Sequence, residues 1–267
     1  MALDAAMKQY ALDVQEELKQ LIRDLCAIPA PSHYEEKRAV FCKDWFLAAG
    51  GQGVHIDAAL NVVCPWGYSD NKPVVVVMAH MDTVFPDTEP LPFREDENRF
   101  YCPGVCDDTA QLAQLMVLAR YFMQNCPVPE KVGVLFVANS CEEGLGNLKG
   151  SRQIVRDYGL QMRELISIDA SNFVSACNEA VGSHRYRVTV KTEGGHSFGA
   201  FGNRNAIRYL ASMIDALYAI KVPQEGSSKT TYNVGTISGG TSVNTIAQEA
   251  QMLYEYRSDS RVCLEKM

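Results

Sequence analysis

The stretch Pro73-Val-Val-Val-Val-Met-Ala-His-Met-Asp82 runs from a continuous apolar segment directly into a histidine and an aspartate. An unbroken apolar run of this length is typical of a strand in a sheet that is covered on both faces. Residues 132–138 and 165–168 show the same pattern and are separated from it by helical segments. Buried strands that alternate with helices predict an α/β layered domain.

Apolar residues at helical spacing surround these strands. They predict helices over residues 5–27, 34–48, 108–125 and 147–158, together with a hairpin-like pair of strands near residues 53–66. Ser32 is suited to cap the second helix, because its hydroxyl can accept a hydrogen bond from a free backbone N–H. Glu35 and Glu36 would then lie in the first turn, where negative charge is favourable.

A second, smaller domain is predicted to follow. Residues 184–191 alternate polar and apolar side chains, which indicates a strand with one solvated face. The remaining elements are a helix over residues 203–219 and strands near residues 230–238 and 249–257. This β-α-β-β order has antiparallel character, so we expect an α+β domain. The predicted domains span residues 1–178 and 179–267.

The composition excludes some kinds of function. The chain has 267 residues and a net charge of −7, with a pI of about 5.3, and an acidic surface disfavours nucleic acid as a partner. The N-terminus has no apolar signal-peptide core, and the most apolar run, residues 74–79, is too short to span a membrane. We therefore expect no membrane partner. The nine cysteines show no disulfide spacing, which indicates reduced thiols and a cytoplasmic location.

Polar side chains that can bind metals follow each predicted strand of the first domain. They are His80 and Asp82 after the first strand, Asp107 and Asp108 before the next helix, Glu142 and Glu143 after the second strand, and Asp169 after the third. Sites in open α/β sheets form at the carboxyl ends of the strands. We therefore expect these groups to converge on one crevice.

The chemistry of these side chains indicates a metal site. One imidazole among several carboxylates suits Zn²⁺, Mn²⁺ or Co²⁺, and the carboxylates would repel one another without a cation. Two ions roughly 3.5–4 Å apart would need a bridging carboxylate, and Asp107 is well placed for it. Asp82 projects to the same side of an extended chain as His80 and can orient its ring. Glu142 and Glu143 project oppositely, so one can bind metal while the other acts as general base.

Each of these features has a plainer explanation when it is taken alone. A histidine at a strand end is usually a surface residue, two aspartates before a helix usually cap it, and adjacent glutamates usually lie in a solvated loop. Their joint occurrence at successive strand ends favours the metal site.

Three segments around these residues resemble signatures of the M20 family of metallopeptidases. They are His80-Met-Asp-Thr-Val84, Gly104-Val-Cys-Asp-Asp108 and Asn139-Ser-Cys-Glu-Glu-Gly144, in the family's order and at about its spacing. The family contains tripeptidase T, glutamate carboxypeptidase, aminoacylases, and acetylornithine and succinyl-diaminopimelate deacylases. The first segment looks most similar to the tripeptidase T-like branch.

The resemblance implies a role for each of these residues. The implied ligands are His80, Asp107 and Asp169 for one zinc ion and Asp107 and Glu143 for a second, with Mn or Co possible instead. Glu142 would be the general base and Asp82 the residue that orients the histidine. The resemblance also implies a cis peptide between Asp107 and Asp108.

The second domain carries resemblances of its own to the lid, or dimerisation, domain of the family. They lie at Gly194-Gly-His-Ser197, Asn205-Ala-Ile207, Gly239-Gly-Thr-Ser-Val-Asn-Thr-Ile246 and Tyr256-Arg-Ser258. By this analogy His196 would help to stabilise the tetrahedral oxyanion, often in the partner subunit's site. Asn244 and Arg257 would contact the substrate, and the planar guanidinium of Arg257 suits a carboxylate. The plainer alternatives are a turn at Gly194-Gly195 and a surface strand residue at Arg257.

The implied fold is a zinc-exopeptidase-like catalytic domain, α/β, whose mixed, mostly parallel sheet is flanked by helices. A smaller α+β lid domain is inserted into it, and the protein would form a homodimer through that lid. Family members continue beyond the lid and supply a last histidine ligand to the second metal. Here no histidine follows His196. The resemblance therefore implies an incomplete catalytic domain, and we expect this chain alone to hold at most one metal well.

Two rival enzyme classes fit poorly. Residues 195–199 match G-x-S-x-G, but a serine hydrolase of that type needs a later histidine, which is absent after Ser197. A nucleotide-binding loop at residues 144–150 would have its third glycine one place late and two glutamates beside the phosphates. A non-catalytic binding or assembly protein on the same scaffold remains the alternative.

The expected function is hydrolysis of an amide bond by a metal-activated water, with Glu142 as general base. The substrate would be a short peptide or an N-acyl amino acid with a free carboxylate, and the residues leave these two open.

Overall fold

The computed structural model describes residues 4–169 and 175–267. The chain divides into two compact units, Met1–Phe173 and Val174–Met267, which we call unit 1 and unit 2.

Unit 1 is a layered α/β structure. Its helices are α1 (Ala5–Asp13), α2 (Gln15–Cys26), α3 (Glu36–Ala48), α4 (Ala110–Asn125) and α5 (Lys149–Tyr158). Its strands are β1 (His55–Ile56), β2 (Val62–Trp66), β3 (Val74–His80), β4 (Arg94–Glu95), β5 (Phe100–Tyr101), β6 (Gly133–Asn139) and β7 (Met162–Ser167).

The central sheet of unit 1 has five strands in the order β1-β2-β6-β3-β7. Strand β3 runs parallel to β6 on one side and to β7 on the other, whereas β2 pairs antiparallel with β6 and with β1. The predicted mixed α/β sheet is therefore confirmed. The strands β4 and β5 pair antiparallel as a separate hairpin in the segment between β3 and α4.

Side chains from β3 and β6 are buried on both faces of this sheet, as the apolar runs predict. On one face Phe136 and Ala79 pack with Leu112, Leu115 and Met116 of α4 in the larger core. The opposite face holds a smaller core that is closed by Ile154 of α5. Burial on both faces explains why these strands are apolar at every position rather than at alternate ones.

Two helix predictions need correction. The single helix predicted over residues 5–27 is interrupted at Val14, which leaves helical dihedral angles (φ −94°, ψ 5°), and a β-branched residue loses side-chain freedom in a helix. Ser32 does not cap α3. Its hydroxyl donates instead to Oδ2 of Asp82 at 2.7 Å, and a charged acceptor gives the stronger hydrogen bond.

Unit 2 is built on an antiparallel sheet. Its elements are β8 (Gly182–Lys191), β9 (Gly195–His196), α6 (Ala206–Tyr218), β10 (Thr230–Gly239), β11 (Thr245–Ile246), β12 (Glu249–Ser258) and α7 (Arg261–Lys266). The main sheet has the order β10-β12-β8, and β9 pairs with β11. Ala206 and Leu210 of α6 pack on Ala250 and Met252 of β12, which gives this unit a small core of its own.

All nine cysteines lie in the described ranges and are free thiols; Cys106 and Cys177 are exposed. Within residues 4–169 and 175–267, no helix is both long and apolar enough to cross a membrane.

Candidate metal centre

The polar groups after β3, β6 and β7 meet at one edge of the unit 1 sheet. Because β3 and β6 are parallel, His80 lies beside Asn139 in register, and the backbone N–H of Met81 donates to the Asn139 carbonyl at 2.8 Å. This pairing brings the turn after His80 next to the turn that carries Glu142 and Glu143.

Two sets of possible metal ligands share His80. In the first set, ligand atoms of His80, Asp107 and Asp169 all lie within 4.8 Å of one another. In the second set, ligand atoms of His80, Glu142 and Glu143 satisfy the same limit. Five of the predicted residues are thus brought together, from three strand ends and one loop.

His80 is buried and its ring is held at both nitrogens. Its Nδ1 lies 3.0 Å from the carbonyl oxygen of Asp82, and its Nε2 lies 2.9 Å from Oδ1 of Asp107. Carbonyl and carboxylate oxygens can only accept, so both ring nitrogens donate in this arrangement. A divalent cation among the carboxylates would take the place of the Nε2 proton, while the bond from Nδ1 keeps the ring in position.

Asp82 does more than the sequence indicates. Its carboxylate is 3.6 Å from Nδ1 of His80, farther away than its own carbonyl oxygen. The two carboxylate oxygens accept hydrogen bonds from the backbone N–H groups of Glu142 (2.9 Å) and Glu143 (3.0 Å). The side chain of Asp82 therefore fixes the turn of the two glutamates, while its main chain orients the histidine ring.

Asp107 and Asp108 lie in a short irregular segment, Val105–Thr109, just before α4. The expected cis peptide between Asp107 and Asp108 is present. Asp108 is buried and accepts a hydrogen bond from the backbone N–H of His80 at 2.9 Å. It thereby ties the loop to the end of β3, a role that the sequence did not reveal.

The electrostatics of the cluster show an excess of negative charge. Burial and the negative charge of neighbouring carboxylates raise the pKa of Glu143 to about 7 and that of Asp108 to about 8, and raise the pKa of Glu142 above its usual range. Burial acts to lower the pKa of His80, yet Asp82, Asp108 and Glu142 together raise it to about 10.

These observations fit a divalent cation. Carboxylates held close together in a partly buried site are stabilised by a positive charge. Four carboxylates and one imidazole also form a ligand set of the kind that Zn²⁺, Mn²⁺ and Co²⁺ accept. The donor set present in unit 1 is therefore suitable for at least one ion.

The predicted residues of unit 2 lie on its short strands and on β12. His196 is exposed at the end of β9, and its Nδ1 accepts hydrogen bonds from the backbone N–H groups of Phe198 (3.2 Å) and Gly199 (3.3 Å). Asn244 is exposed and directly precedes β11. Its main-chain carbonyl oxygen accepts from the N–H of Ser197 at 2.9 Å, so it lies next to the residue that follows His196. Arg257 is exposed on β12 and pairs with Glu255.

Comparison with known proteins gives a family match. The profile of Peptidase family M20/M25/M40 matches residues 76–259. A probable carboxypeptidase of Trichophyton verrucosum is 24% identical over 265 residues, which cover 88% of this chain and 56% of that protein.

Solved structures agree in fold. A tripeptidase from Staphylococcus aureus superposes with a TM-score of 0.66 at 23% identity, over 94% of this chain and 68% of that chain. A dinuclear metal-binding M20 peptidase from Bacillus subtilis gives a TM-score of 0.54 at 15% identity, over 94% and 66%. The chain spans about half the length of the curated relatives that it matches.

Proposed function

Because this chain belongs to peptidase family M20/M25/M40, we propose that it hydrolyses an amide bond in a short peptide or an N-acyl amino acid. The observation that carries the proposal is the convergence of His80 with two pairs of carboxylates at one sheet edge. We assign the catalytic centre to residues 1–178 and the lid to residues 179–267.

His80, Asp107 and Asp169 would hold one divalent ion, zinc in the first instance, and Asp107 and Glu143 would contribute to a second. Such an ion supplies a Lewis acid that lowers the pKa of water and polarises a carbonyl oxygen. Asp82 keeps the ligand geometry by holding both the histidine ring and the glutamate turn.

Glu142 is the proposed general base. It is half-buried, and burial raises the pKa of its carboxyl above the usual range, which brings its basicity closer to that needed near neutral pH. Its carboxylate would take a proton from the attacking water and pass it to the leaving amine.

We assign substrate contacts to unit 2. His196 would donate a hydrogen bond to the developing oxyanion, in the site of the partner subunit. Asn244 and Arg257 would bind the substrate, with the guanidinium placed against a free carboxylate. The short-peptide class is supported by the relatives, which include a tripeptidase.

Two further proposals concern the protein as a whole. We propose a homodimer formed through unit 2, because Phe198, Phe201 and Val243 are strongly exposed beside His196 and Asn244, and sedimentation equilibrium would test it. We also propose a cytoplasmic location, because nine free cysteines suit a reducing compartment.

The test uses the full-length protein with a panel of tripeptides and N-acyl amino acids. Hydrolysis should disappear in a chelator and return with Zn²⁺, Mn²⁺ or Co²⁺. Glu142→Gln should lower kcat by about 10²–10⁴-fold because the proton acceptor is lost, while elemental analysis still finds bound metal. His80→Ala should lose the metal as well.

Hydrolysis that persists in the chelator, or in Glu142→Gln, would contradict the proposal. Metal binding without hydrolysis of any panel member would instead favour the non-catalytic binding protein.

A further inference from the structure

Residues 30–38, which join α2 to the first turn of α3, lie against both turns that carry the metal-binding residues. We call this segment the clasp. It has none of the predicted ligands, and the sequence assigned two of its side chains, Ser32 and Glu35, to the start of α3. They make their hydrogen bonds to the candidate metal centre instead.

One side of the clasp holds the turn that follows β3. The carbonyl oxygen of Ala30 accepts from the N–H of Thr83 at 2.9 Å, and Ser32 donates to the carboxylate of Asp82 at 2.7 Å. Arg38 is buried, and its Nη1 donates to the carbonyl oxygen of Met81 at 2.8 Å. The turn that follows β3 is thus held by three hydrogen bonds from the clasp.

The other side of the clasp holds the turn that follows β6. Oε1 of Glu35 accepts the backbone N–H of Cys141 at 2.9 Å, and the Cys141 thiol also donates to this oxygen at 3.2 Å. His33 lies 3.4 Å from the Leu145 carbonyl oxygen through Nε2. Cys141 directly precedes Glu142, so Glu35 sets the position at which the glutamate pair begins.

The burial of Glu35 is unfavourable for stability by itself. The side chain is fully buried, and its second oxygen, Oε2, has no hydrogen-bond partner among residues 4–169 and 175–267. A buried polar atom without a partner costs free energy. A carboxylate kept there at such a cost is better explained by what Oε1 holds than by a contribution to folding.

Arg38 shows how the clasp is anchored. Its Nε donates to the carbonyl oxygen of Ile28 at 3.0 Å and its Nη2 to that of Leu25 at 2.9 Å, at the end of α2. The guanidinium therefore connects the end of α2 to the β3 turn in a fixed geometry. Because the clasp has this rigid support, the loop cannot move to replace a lost Glu35 contact. Loss of that contact would therefore displace Cys141.

We propose that Glu35 is a positioning residue for the metal centre, acting through the Cys141 amide to hold Glu142 and Glu143 against Asp82. The inference rests on the proposed function, because it assumes that these glutamates bind metal and move a proton. It assigns the polar residues of the clasp to the site rather than to the cap of α3.

The test compares Glu35→Leu, which removes the acceptor, with Glu35→Gln, which keeps an acceptor oxygen for the Cys141 N–H. Glu36→Leu makes the same change at the exposed neighbour and is the matched control. All measurements use the full-length protein. Zn²⁺ affinity is measured by competition with a chromophoric chelator. The values of kcat and KM are measured on the best peptide of the panel, and thermal unfolding is followed by circular dichroism.

Glu35→Leu should weaken Zn²⁺ binding and lower kcat by about 10-fold or more, as loss of a residue that supports ligands does. KM and the unfolding temperature should change little, because the substrate contacts and the core remain. Glu35→Gln should restore both Zn²⁺ affinity and kcat, and Glu36→Leu should behave as the unaltered protein.

Unaltered Zn²⁺ affinity and kcat in a folded Glu35→Leu would overturn the inference, as would losses in Glu36→Leu of the same size. Should Glu35→Leu fail to fold, Glu35→Asp decides, because it keeps the charge but draws the acceptor back from the Cys141 N–H: a fall in Zn²⁺ affinity and kcat supports the inference, and no change overturns it. If the unaltered protein binds no Zn²⁺, the proposed function fails, which separates that failure from a failure of this inference.

Discussion

The two histidines proposed for the site make opposite backbone contacts through Nδ1. His80 donates from Nδ1 to a carbonyl oxygen, so Nε2 is the nitrogen that remains to bind a metal. His196 faces two backbone N–H groups through Nδ1, so its neutral ring must carry the proton on Nε2. One ring is thereby prepared as a ligand and the other as a hydrogen-bond donor.

The tautomer of His196 can be measured. In the neutral ring, long-range ¹H–¹⁵N correlation spectra should show a protonated Nε2 and an unprotonated Nδ1, because two N–H donors point at Nδ1. His184, which stacks on Tyr186 in the same unit, provides the reference signal. A protonated Nδ1 at His196 would contradict the turn geometry and weaken the role proposed for this residue.

At the residue scale, the chain order was enough to predict which metal-binding types of side chain would meet, but not which residues support them. His80, Glu142 and Asp169 follow apolar strands, so their convergence could be predicted from parallel pairing alone. The partners of Asp82 could not, because the backbone N–H groups that a carboxylate meets depend on the local path of the turn after β6, which the sequence pattern does not determine. Glu35 and Arg38 did carry a signal, because each is a charged residue four positions before a buried residue of α3, Glu35 before Ala39 and Arg38 before Cys42.

Helix α6 illustrates what a single cap contributes at the scale of an element. The sequence predicted a helix over residues 203–219, but α6 begins at Ala206 because Asn205 accepts hydrogen bonds from the N–H groups of Ile207 and Arg208. The prediction of one helix over residues 5–27 failed for a similar reason. The helical spacing of apolar residues continues past Val14, although the backbone leaves the helical conformation there.

Asn205→Ala should destabilise unit 2 by about 1 kcal/mol, the usual value of an N-terminal cap. The measurement is amide hydrogen exchange of residues 206–218, which should become faster. Asn205→Asp keeps the acceptor oxygen and should leave exchange close to that of the unaltered chain. Equal exchange in the alanine variant would show that packing of Leu210 alone holds the helix.

The stability of the contact between Glu193, which precedes β9, and Arg204, which precedes α6, should depend on pH. Its carboxylate accepts the backbone N–H of Arg204 and pairs with the guanidinium, both at 2.9 Å. These contacts lower the pKa of Glu193 to about 2. A lowered pKa in the folded state means that this stabilisation is complete above the unfolded pKa of about 4.3 and is lost as pH falls toward 2.

Glu193→Gln should therefore be less stable than the unaltered chain at pH 6, and the difference should shrink at pH 3. Thermal unfolding at the two pH values measures it, with Glu225→Gln as a control at another exposed glutamate. A difference that stays the same at both pH values would contradict a charge-dependent contact.

At the scale of the whole molecule, the two units differ in what they contribute. Every possible ligand in the two sets around His80 belongs to unit 1, whereas His196, Asn244 and Arg257 belong to unit 2. The change from continuous apolar strands to alternating ones near residue 178 was visible in the sequence, since it reflects burial on two faces or on one. Each unit also has its own core, so they should respond separately to a bound ion.

Zn²⁺ at about a hundred times its dissociation constant should stabilise unit 1 by about 2.7 kcal/mol, because an ion that binds only the folded state shifts the equilibrium by mass action. Hydrogen exchange should slow within β3 and β6 and remain unchanged in β8 and β12. His80→Ala should abolish the effect. If hydrogen exchange slows only in unit 2, or still slows in His80→Ala, the ion binds at a site other than the one around His80.

The uneven exposure of the thiols offers a practical consequence. Cys106 and Cys177 are the exposed members of the nine, one directly before Asp107 and the other in the stretch just before β8. A fluorescent dye on Cys106 would report on the candidate metal centre, and a dye on Cys177 would report on the stretch before β8. The chain thus already has one exposed labelling site in each unit, and no engineered cysteine is needed.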